Sequence, residues 1–326
     1  MKVCIIGDFS ENLDEGLKNI AYHIADNLSK NIEIQLINVK NIITLATLRK
    51  IKIFHPDIIH YVPGPTNKSI ILLKFIKACL KYETKIVLSA PHPMFSDVIL
   101  KLLNFKPDYI FASSENLKRR MDILGIPTHL LPNGVNIEKF IPVSSNFDKM
   151  KIREKYGIEK NSFVVLHVGH IISNRNLGIF TKLVKDNQPV VVASKYIKTD
   201  YKLLENLRNA GCIIFQGYFP NIEEFYQLSD CYLFPVRYGK SILCPLSVLE
   251  AMSCNLPVIT TDFDGIKIFF KEGEGLIFAK KYEEFLDAVE KIKSGEIFVS
   301  TRRKIEQYSW QNTTREIIKI YKTLLN

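Results

Sequence analysis

Short runs of apolar and β-branched residues alternate along the chain with longer stretches whose apolar positions recur every three to four residues. Residues 3–8, 33–39, 58–62, 85–90, 109–113 and 129–131 read as strands, and their near-continuous apolarity is what a parallel sheet covered on both faces requires. Between them, 15–28, 67–80, 96–103 and 115–124 carry helical spacing. This βαβ series predicts a doubly wound sheet. The rhythm breaks over 142–162, which is polar and charged around a short helical stretch at 150–156. It restarts with strands at 163–169, 189–194, 211–216, 231–236 and 257–261 and helices at 177–185, 202–209, 222–228, 246–253 and 283–293. A last helix at 310–325 has no strand after it.

The expected fold is therefore α/β, with two Rossmann-like doubly wound parallel-sheet domains. They are placed at 1–142 and 163–308, with a linker region at 143–162 and a C-terminal helix, 309–326, crossing back to the first domain. Two such sheets facing a central cleft bind ligands in the loops after their strands.

With 47% apolar and 24% charged residues in 326, the composition excludes disorder and low-complexity scaffolding. The longest apolar run, 69–80, is interrupted by Lys74 and Lys77 and is too short for a membrane span. Residues 1–8 meet a charge too early for a signal-peptide core, so the expectation is a cytoplasmic protein. Six scattered cysteines with no C-x-x-C pair read as small core hydrophobes. The net charge of +10 comes from 19 basic and 14 acidic residues up to position 150 and 25 and 20 beyond it. That even spread argues against a nucleic-acid arm and against a nucleic-acid partner. It leaves attraction to anionic substrates or lipid head groups, or a plain Lys-rich and Ile-rich bias.

The loop after the first strand, 8–16, lacks G-x-G-x-x-G, so a dinucleotide fingerprint is missing where it should stand. Gly16 opens a helix, where backbone N–H groups favour a phosphate; a tight turn is the other reading. The sharpest run is 244–261, a loop, helix, turn and buried strand containing Pro245-Leu246-Ser247-Val248-Leu249-Glu250-Ala251-Met252. Glu250 lies mid-helix on the apolar side and needs a partner there, either paired ribose hydroxyls or an arginine elsewhere in the fold.

That run, with Leu131-Pro132-Asn133-Gly134-Val135-Asn136-Ile137-Glu138-Lys139-Phe140 upstream, resembles the retaining glycosyltransferases of family 4, which have the GT-B fold. The upstream segment resembles the family's "PNGVD…F", and the helix resembles the second half of its E-x7-E motif in the variant "PLSVLEAM". Weaker likenesses cover nearly the whole chain. Pro56-Asp57-Ile58-Ile59-His60 resembles "PDVVH", Val168-Gly169-His170 with Arg175 resembles "VGR…K", and Gly217-Tyr218 followed by Tyr226, Asp230 and Pro235 resembles "FLG…YxxADVFVLPS". Ser309-Trp310 resembles the "fsW" that opens the final helix.

The resemblance implies a nucleotide diphosphate sugar donor bound mainly by the second domain and a sugar, lipid-linked or small-molecule acceptor bound mainly by the first. Glu250 would hold the ribose, and Arg175 and His170 would face the diphosphate with Gly16 approaching it. Gly217 and Tyr218 would seat the base, His92 would contact the transferred sugar, and Pro245, Leu246 and Ser247 would present backbone groups to sugar and phosphate. No cofactor and no metal are implied. The departures fall on the same sites: Ile242 stands where the family has the first glutamate, and His170 replaces a fixed positive charge.

Asp262-Phe263-Asp264 has the D-x-D spelling of metal-dependent transferases but follows a second-domain strand, and we read it as loop chemistry. His129 and His167 read as structural groups, whereas His60 is open between structure and function. The expected activity is sugar transfer with retention at the anomeric carbon. The alternatives are a catalytically impaired relative that binds a sugar nucleotide or protein partner, and a sugar-nucleotide epimerase or phosphorylase on the same frame. Leu72, Leu73, Phe75, Ile76, Cys79 and Leu80, interleaved with Lys74, Lys77 and Lys81, read either as a helix packed on its sheet with solvated lysines or as a peripheral membrane contact.

Overall fold

The computed structural model describes residues 1–10, 12–237 and 243–326, which group into two compact units. The first comprises Met1–Gly134, Leu243 and Cys244, and Trp310–Asn326. Its sheet holds β1 (Lys2–Gly7), β2 (Glu33–Asn38), β3 (Ile58–Tyr61), β4 (Lys85–Ala90), β5 (Tyr109–Ala112) and β6 (Thr128–Leu130). All pairs are parallel, in the order β2-β1-β3-β4-β5-β6.

Alternation along each strand divides the side chains between two buried faces. Cys4, Ile6, Ile59, Ile86, Leu88 and Ile110 join one core cluster with Ile51, Leu73, Leu100 and Met121. Those four come from the helices Leu45–Phe54, Asn67–Cys79, Asp97–Leu102 and Glu115–Ile123, so one helix layer covers this face. The helix Gly16–Ser29 and the C-terminal helix Trp310–Leu325 pack against each other on the other side. There the buried His60 of β3 lies 2.6 Å from the Tyr321 hydroxyl through Nδ1 and 2.8 Å from the Ser89 hydroxyl through Nε2. Both ring nitrogens are satisfied, and burial holds the imidazole neutral with its pKa pushed down to about 3. His60 is structural. Gly134 lies against Trp310, and a Cβ there would sit 2.6 Å from the indole ring.

The second unit comprises, among the described residues, 135–237 and 245–309. It contains β7 (Val164–Val168), β8 (Gln188–Ala193), β9 (Ile213–Gln216), β10 (Cys231–Phe234), β11 (Val258–Thr261) and β12 (Leu276–Ala279), all parallel, in the order β12-β11-β10-β7-β8-β9. Residues 135–162 group with this unit, and a buried arginine shows why. Arg153, on the helix Asn146–Lys155, donates to the Leu228, Lys160 and Ser162 carbonyls and pairs with Asp230 at 2.6 Å. Asp230 also accepts from the Val164 amide at 2.7 Å, fixing the start of β7. Every polar atom of a costly buried charge thus has a partner.

Several of the described elements, the helix Asp264–Lys267 among them, escape the periodicity. The helix Leu45–Phe54 buries only Thr47 and Ile51, and its Lys50-Ile51-Lys52-Ile53 run alternates like a strand. β12 is a four-residue edge strand, and Thr301–Ile305 is a helix of barely one turn. Elements this short show too few repeats for either period to register.

Candidate functional site

In the second unit β10, β7, β8 and β9 are neighbours, so the residues just beyond their carboxyl ends share one edge of the sheet. The Gly169 amide donates to the Val192 carbonyl at 2.9 Å and the Gly217 amide to the Ala193 carbonyl at 2.9 Å, carrying both ladders one residue further. This sets His170 beside Ser194, whose hydroxyl lies 3.4 Å from His170 Nδ1. Arg175 closes a 3-10 turn, Ser173–Arg175, with its guanidinium 5.1 Å from the centroid of the Phe234 ring. The Arg237 amide donates to the Asn174 carbonyl at 3.0 Å and ties that turn to the chain beyond β10.

His167, on β7, lies within the fields of Arg175 and His170. Its Nδ1 donates to the Leu233 carbonyl at 3.0 Å, and its ring stacks with Tyr232 and Phe234. Burial lowers its pKa to about 3, with the fields of Arg175 and His170 adding to the effect against the bond to Leu233. The ring is therefore neutral, in line with the structural reading of His167. Arg175 and His170 come together around it, on the edge expected for a diphosphate.

The helix Leu246–Ser253 has Pro245 at its N-cap, and the Pro245 carbonyl accepts from the Val248 amide at 3.2 Å. The amides of Leu246 and Ser247 belong to the first turn, where a helix has no carbonyl of its own to offer. Ser247 also hydrogen-bonds the buried Tyr232 hydroxyl. One turn on, Glu250 Oε2 accepts a 2.6 Å hydrogen bond from Tyr226, a fully buried phenol on the helix Glu223–Gln227. Burial raises the Glu250 pKa to about 7, against the bond from Tyr226 and the charge of Lys139, while Glu223 pushes it further up.

The run 135–140 builds the wall behind this pair. Lys139 pairs with Glu223 at 3.3 Å, and the Phe140 ring meets Tyr226 edge-on at 5.6 Å between centroids. Arg302 donates to the Ile137, Phe140 and Ser253 carbonyls, fastening that run to the end of the Glu250 helix. Tyr226, Lys139 and Phe140 were legible as motif letters, but nothing in the sequence showed that they converge on Glu250.

The remaining candidates are placed as follows. Tyr218 follows Gly217 and is 46% exposed at the end of β9. Gly16 and His92 belong to the first unit. At Gly16 the neighbouring Glu15 caps the helix with its own carboxylate, accepting from the Leu17 amide at 2.6 Å and the Lys18 amide at 3.3 Å. Two of the first-turn donors that would meet a phosphate are thus engaged by the chain itself. His92 lies just beyond β4, where the Met94 amide donates to the Pro65 carbonyl at 2.8 Å. Ile242 lies outside the described residues. Asp262 is buried and paired with Lys267 at 3.1 Å and Lys280 at 3.3 Å. Among the described residues no three His, Cys, Asp or Glu side chains are grouped to hold a metal ion.

The family model for glycosyl transferases group 1 matches residues 148–311, half of the chain. The chain belongs to the glycosyl transferases group 1 family. The match covers most of the second unit, including the β7 edge and the Glu250 helix. Among relatives of this glycosyltransferase chain, the UDP-Gal:alpha-D-GlcNAc-diphosphoundecaprenol alpha-1,3-galactosyltransferase of Escherichia coli is 27% identical over 182 residues, 52% of this chain and 46% of its own length. The chain spans about half the length of the relatives it matches. Among solved structures, the sucrose-phosphate synthase from Thermosynechococcus elongatus superposes with a TM-score of 0.78 at 14% identity, covering 99% of this chain and 98% of that one. Anabaena Alr3699/HepE in complex with UDP and glucose gives a TM-score of 0.73 at 16% identity, covering 99% and 100%. At these identities the likeness shows the two-sheet fold expected from the sequence.

Proposed function

We propose that this glycosyltransferase is a retaining enzyme of the family 4 type, taking a sugar from a nucleotide diphosphate sugar donor held on the β7–β10 edge of the second unit. The observation that carries the reading is the Glu250 carboxyl, fixed through one oxygen by Tyr226 while the other is left to accept from ribose hydroxyls. Arg175 supplies positive charge one strand away with the His170 imidazole on the same edge, and the first-turn amides of Leu246 and Ser247 add donors for phosphate or sugar oxygens. Gly217 and Tyr218 close the edge where a base would lie.

As the bond from sugar to diphosphate loosens, negative charge builds on the leaving oxygen. Arg175 favours that state over the bound donor because its guanidinium is already in position, backed by the Phe234 face. In the retaining mechanism the acceptor hydroxyl attacks from the face the diphosphate leaves, and its proton passes to the departing phosphate. No protein carboxylate is then needed as a base, and neither metal nor cofactor is called for. The reading gives the acceptor mainly to the first unit, where His92 lies. A sugar, lipid-linked or small-molecule acceptor is proposed, by analogy with the diphosphoundecaprenol named for the Escherichia coli relative.

The test is thermal-shift titration with nucleoside diphosphates and their sugars, followed by product analysis at the anomeric carbon. Stabilisation by one donor and a product with the donor's anomeric configuration support the proposal. Inversion would overturn retention. Binding without turnover over a broad acceptor panel would favour the non-catalytic alternative, for which His170 in place of a fixed charge is the supporting feature.

A further inference from the structure

Tyr232 is fully buried in β10, yet its hydroxyl is bonded on both sides. In the sheet ladder Tyr232 lies opposite Leu166 of β7, and the phenol reaches two residues further, donating to the Val168 carbonyl at 3.2 Å. It also bonds the Ser247 side chain. A carbonyl offers only lone pairs, so the phenol's single proton goes to Val168, and the Ser247 hydroxyl is the donor in the second bond. Burial raises the Tyr232 pKa above the ordinary phenol range, which keeps that proton in place.

These two bonds span the edge described above. Val168 precedes Gly169 and His170 in the chain, and Ser247 stands in the first turn of the Glu250 helix. The ring adds two further ties. It lies 5.9 Å from the Tyr226 ring, whose hydroxyl holds Glu250, and 6.4 Å from the Phe234 ring, over which Arg175 sits. Arg175, Ser247 and Glu250 thus each meet Tyr232 directly or through one ring, and His170 follows two residues after the carbonyl it holds. Burial keeps Tyr232 itself away from any ligand. A phenylalanine would fill the same space and make the same ring contacts, so what the tyrosine adds is the tie between β7 and the helix.

We propose that Tyr232 is a positioning residue of the donor site: its hydroxyl holds the first turn of the Glu250 helix to the end of β7, so that the Leu246 and Ser247 amides stand ready for the outer phosphate of the diphosphate. The amide and the hydroxyl of Ser247 belong to one residue, so fixing the side chain limits where the amide can point. A ligand that must order these amides itself binds more weakly, because the cost of ordering is subtracted from the contact. This assignment rests on the donor reading above and divides its work: Glu250 serves the nucleoside end and Tyr232 the phosphate end.

Calorimetric titration of the full chain with UDP, GDP and ADP, and then with the monophosphate of the tightest binder, separates the two ends. Tyr232→Phe should weaken diphosphate binding roughly three- to tenfold, the effect of one hydrogen bond, and leave monophosphate binding unchanged. Ser247→Ala should do the same, and the double variant should lose no more than either alone, since both changes remove one bond. Glu250→Ala, at the ribose end, should weaken both ligands alike. Diphosphate binding unchanged in Tyr232→Phe would overturn the proposal. So would an equal loss for both ligands in that variant, the mark of a merely structural role, or additive losses in the double variant. Failure of the donor reading looks different: Glu250→Ala then binds both ligands like the parent, or the parent binds the diphosphate no more tightly than the monophosphate, and the proposal falls with it.

Discussion

The Tyr226 hydroxyl donates to Glu250 Oε2 at 2.6 Å from a fully buried ring, so the carboxylate is held by a residue that cannot follow it into solvent. Tyr226→Phe removes the bond and leaves the ring, its edge contact with Phe140 and the helix in place. Nucleotide binding should weaken by about 1 kcal/mol in that variant and by about 1–3 kcal/mol in Glu250→Ala, which loses the acceptor altogether. Calorimetric titration with the best nucleoside diphosphate measures both. If Glu250→Ala folds and binds like the parent, the ribose assignment is wrong, whatever Tyr226→Phe does.

The same carboxyl makes stability depend on pH with a definite sign. Its folded pKa, about 7, lies above the ordinary carboxylate value of 4.5, so the folded chain holds a proton that the unfolded chain has released. Folding stability should then fall as pH rises through that window, by an amount on the order of 1–3 kcal/mol, and level off above about pH 8. Glu250→Gln removes the effect. Melting curves of parent and variant should nearly coincide near pH 5 and separate by pH 8, with the variant the more stable. A parent that gains stability relative to the variant over this range would contradict the assigned burial.

Much of this architecture could be read from the chain because both sheets are parallel and buried on both faces. Their strands are long apolar runs, and the crossover helices between them have full apolar stripes. What could not be read is how residues distant in sequence share one carboxylate. Tyr226, Lys139 and Phe140 reach Glu250 from two other segments, and no local period records that convergence. Gly16 shows the opposite difficulty. A glycine opening a helix looks like a phosphate seat until the structure shows the Glu15 carboxylate on the first-turn amides.

Arg175 should matter to rate more than to binding. The charge it meets grows as the diphosphate departs, so Arg175→Ala should lower kcat about 10²–10³-fold with a smaller change in KM. Arg175→Lys restores charge without the planar contact on Phe234 and should recover only part of the rate. An equal loss in binding and in kcat/KM, with kcat unchanged, would instead make Arg175 a ground-state binding residue.

Gly134 tests the first unit. A Cβ there would stand 2.6 Å from the Trp310 ring and 2.9 Å from its Cα, so an alanine must push the start of the C-terminal helix. That indole is fixed by stacking on His23 at 5.2 Å between centroids and cannot swing away cheaply. Gly134→Ala should cost about 1–3 kcal/mol of stability, read as a lower denaturation midpoint with an unchanged slope. A variant as stable as the parent would show that Trp310 has room to move.

The last expectation concerns metal. Burial alone would raise the Asp262 pKa, but hydrogen bonds and charge from Lys267 and Lys280 outweigh it and hold the carboxylate below its ordinary range. A divalent cation at Asp262 and Asp264 would have to displace two lysines already 3.1 and 3.3 Å away, adding its charge beside theirs. The diphosphate has Arg175, His170 and helix amides for charge balance in the proposed mechanism. Transfer activity should therefore survive EDTA, and Asp264→Asn should leave its metal response flat. Complete loss in EDTA, restored by Mg²⁺ or Mn²⁺ and abolished in Asp264→Asn, would move the donor's phosphates to the β11 loop and reverse the assignment.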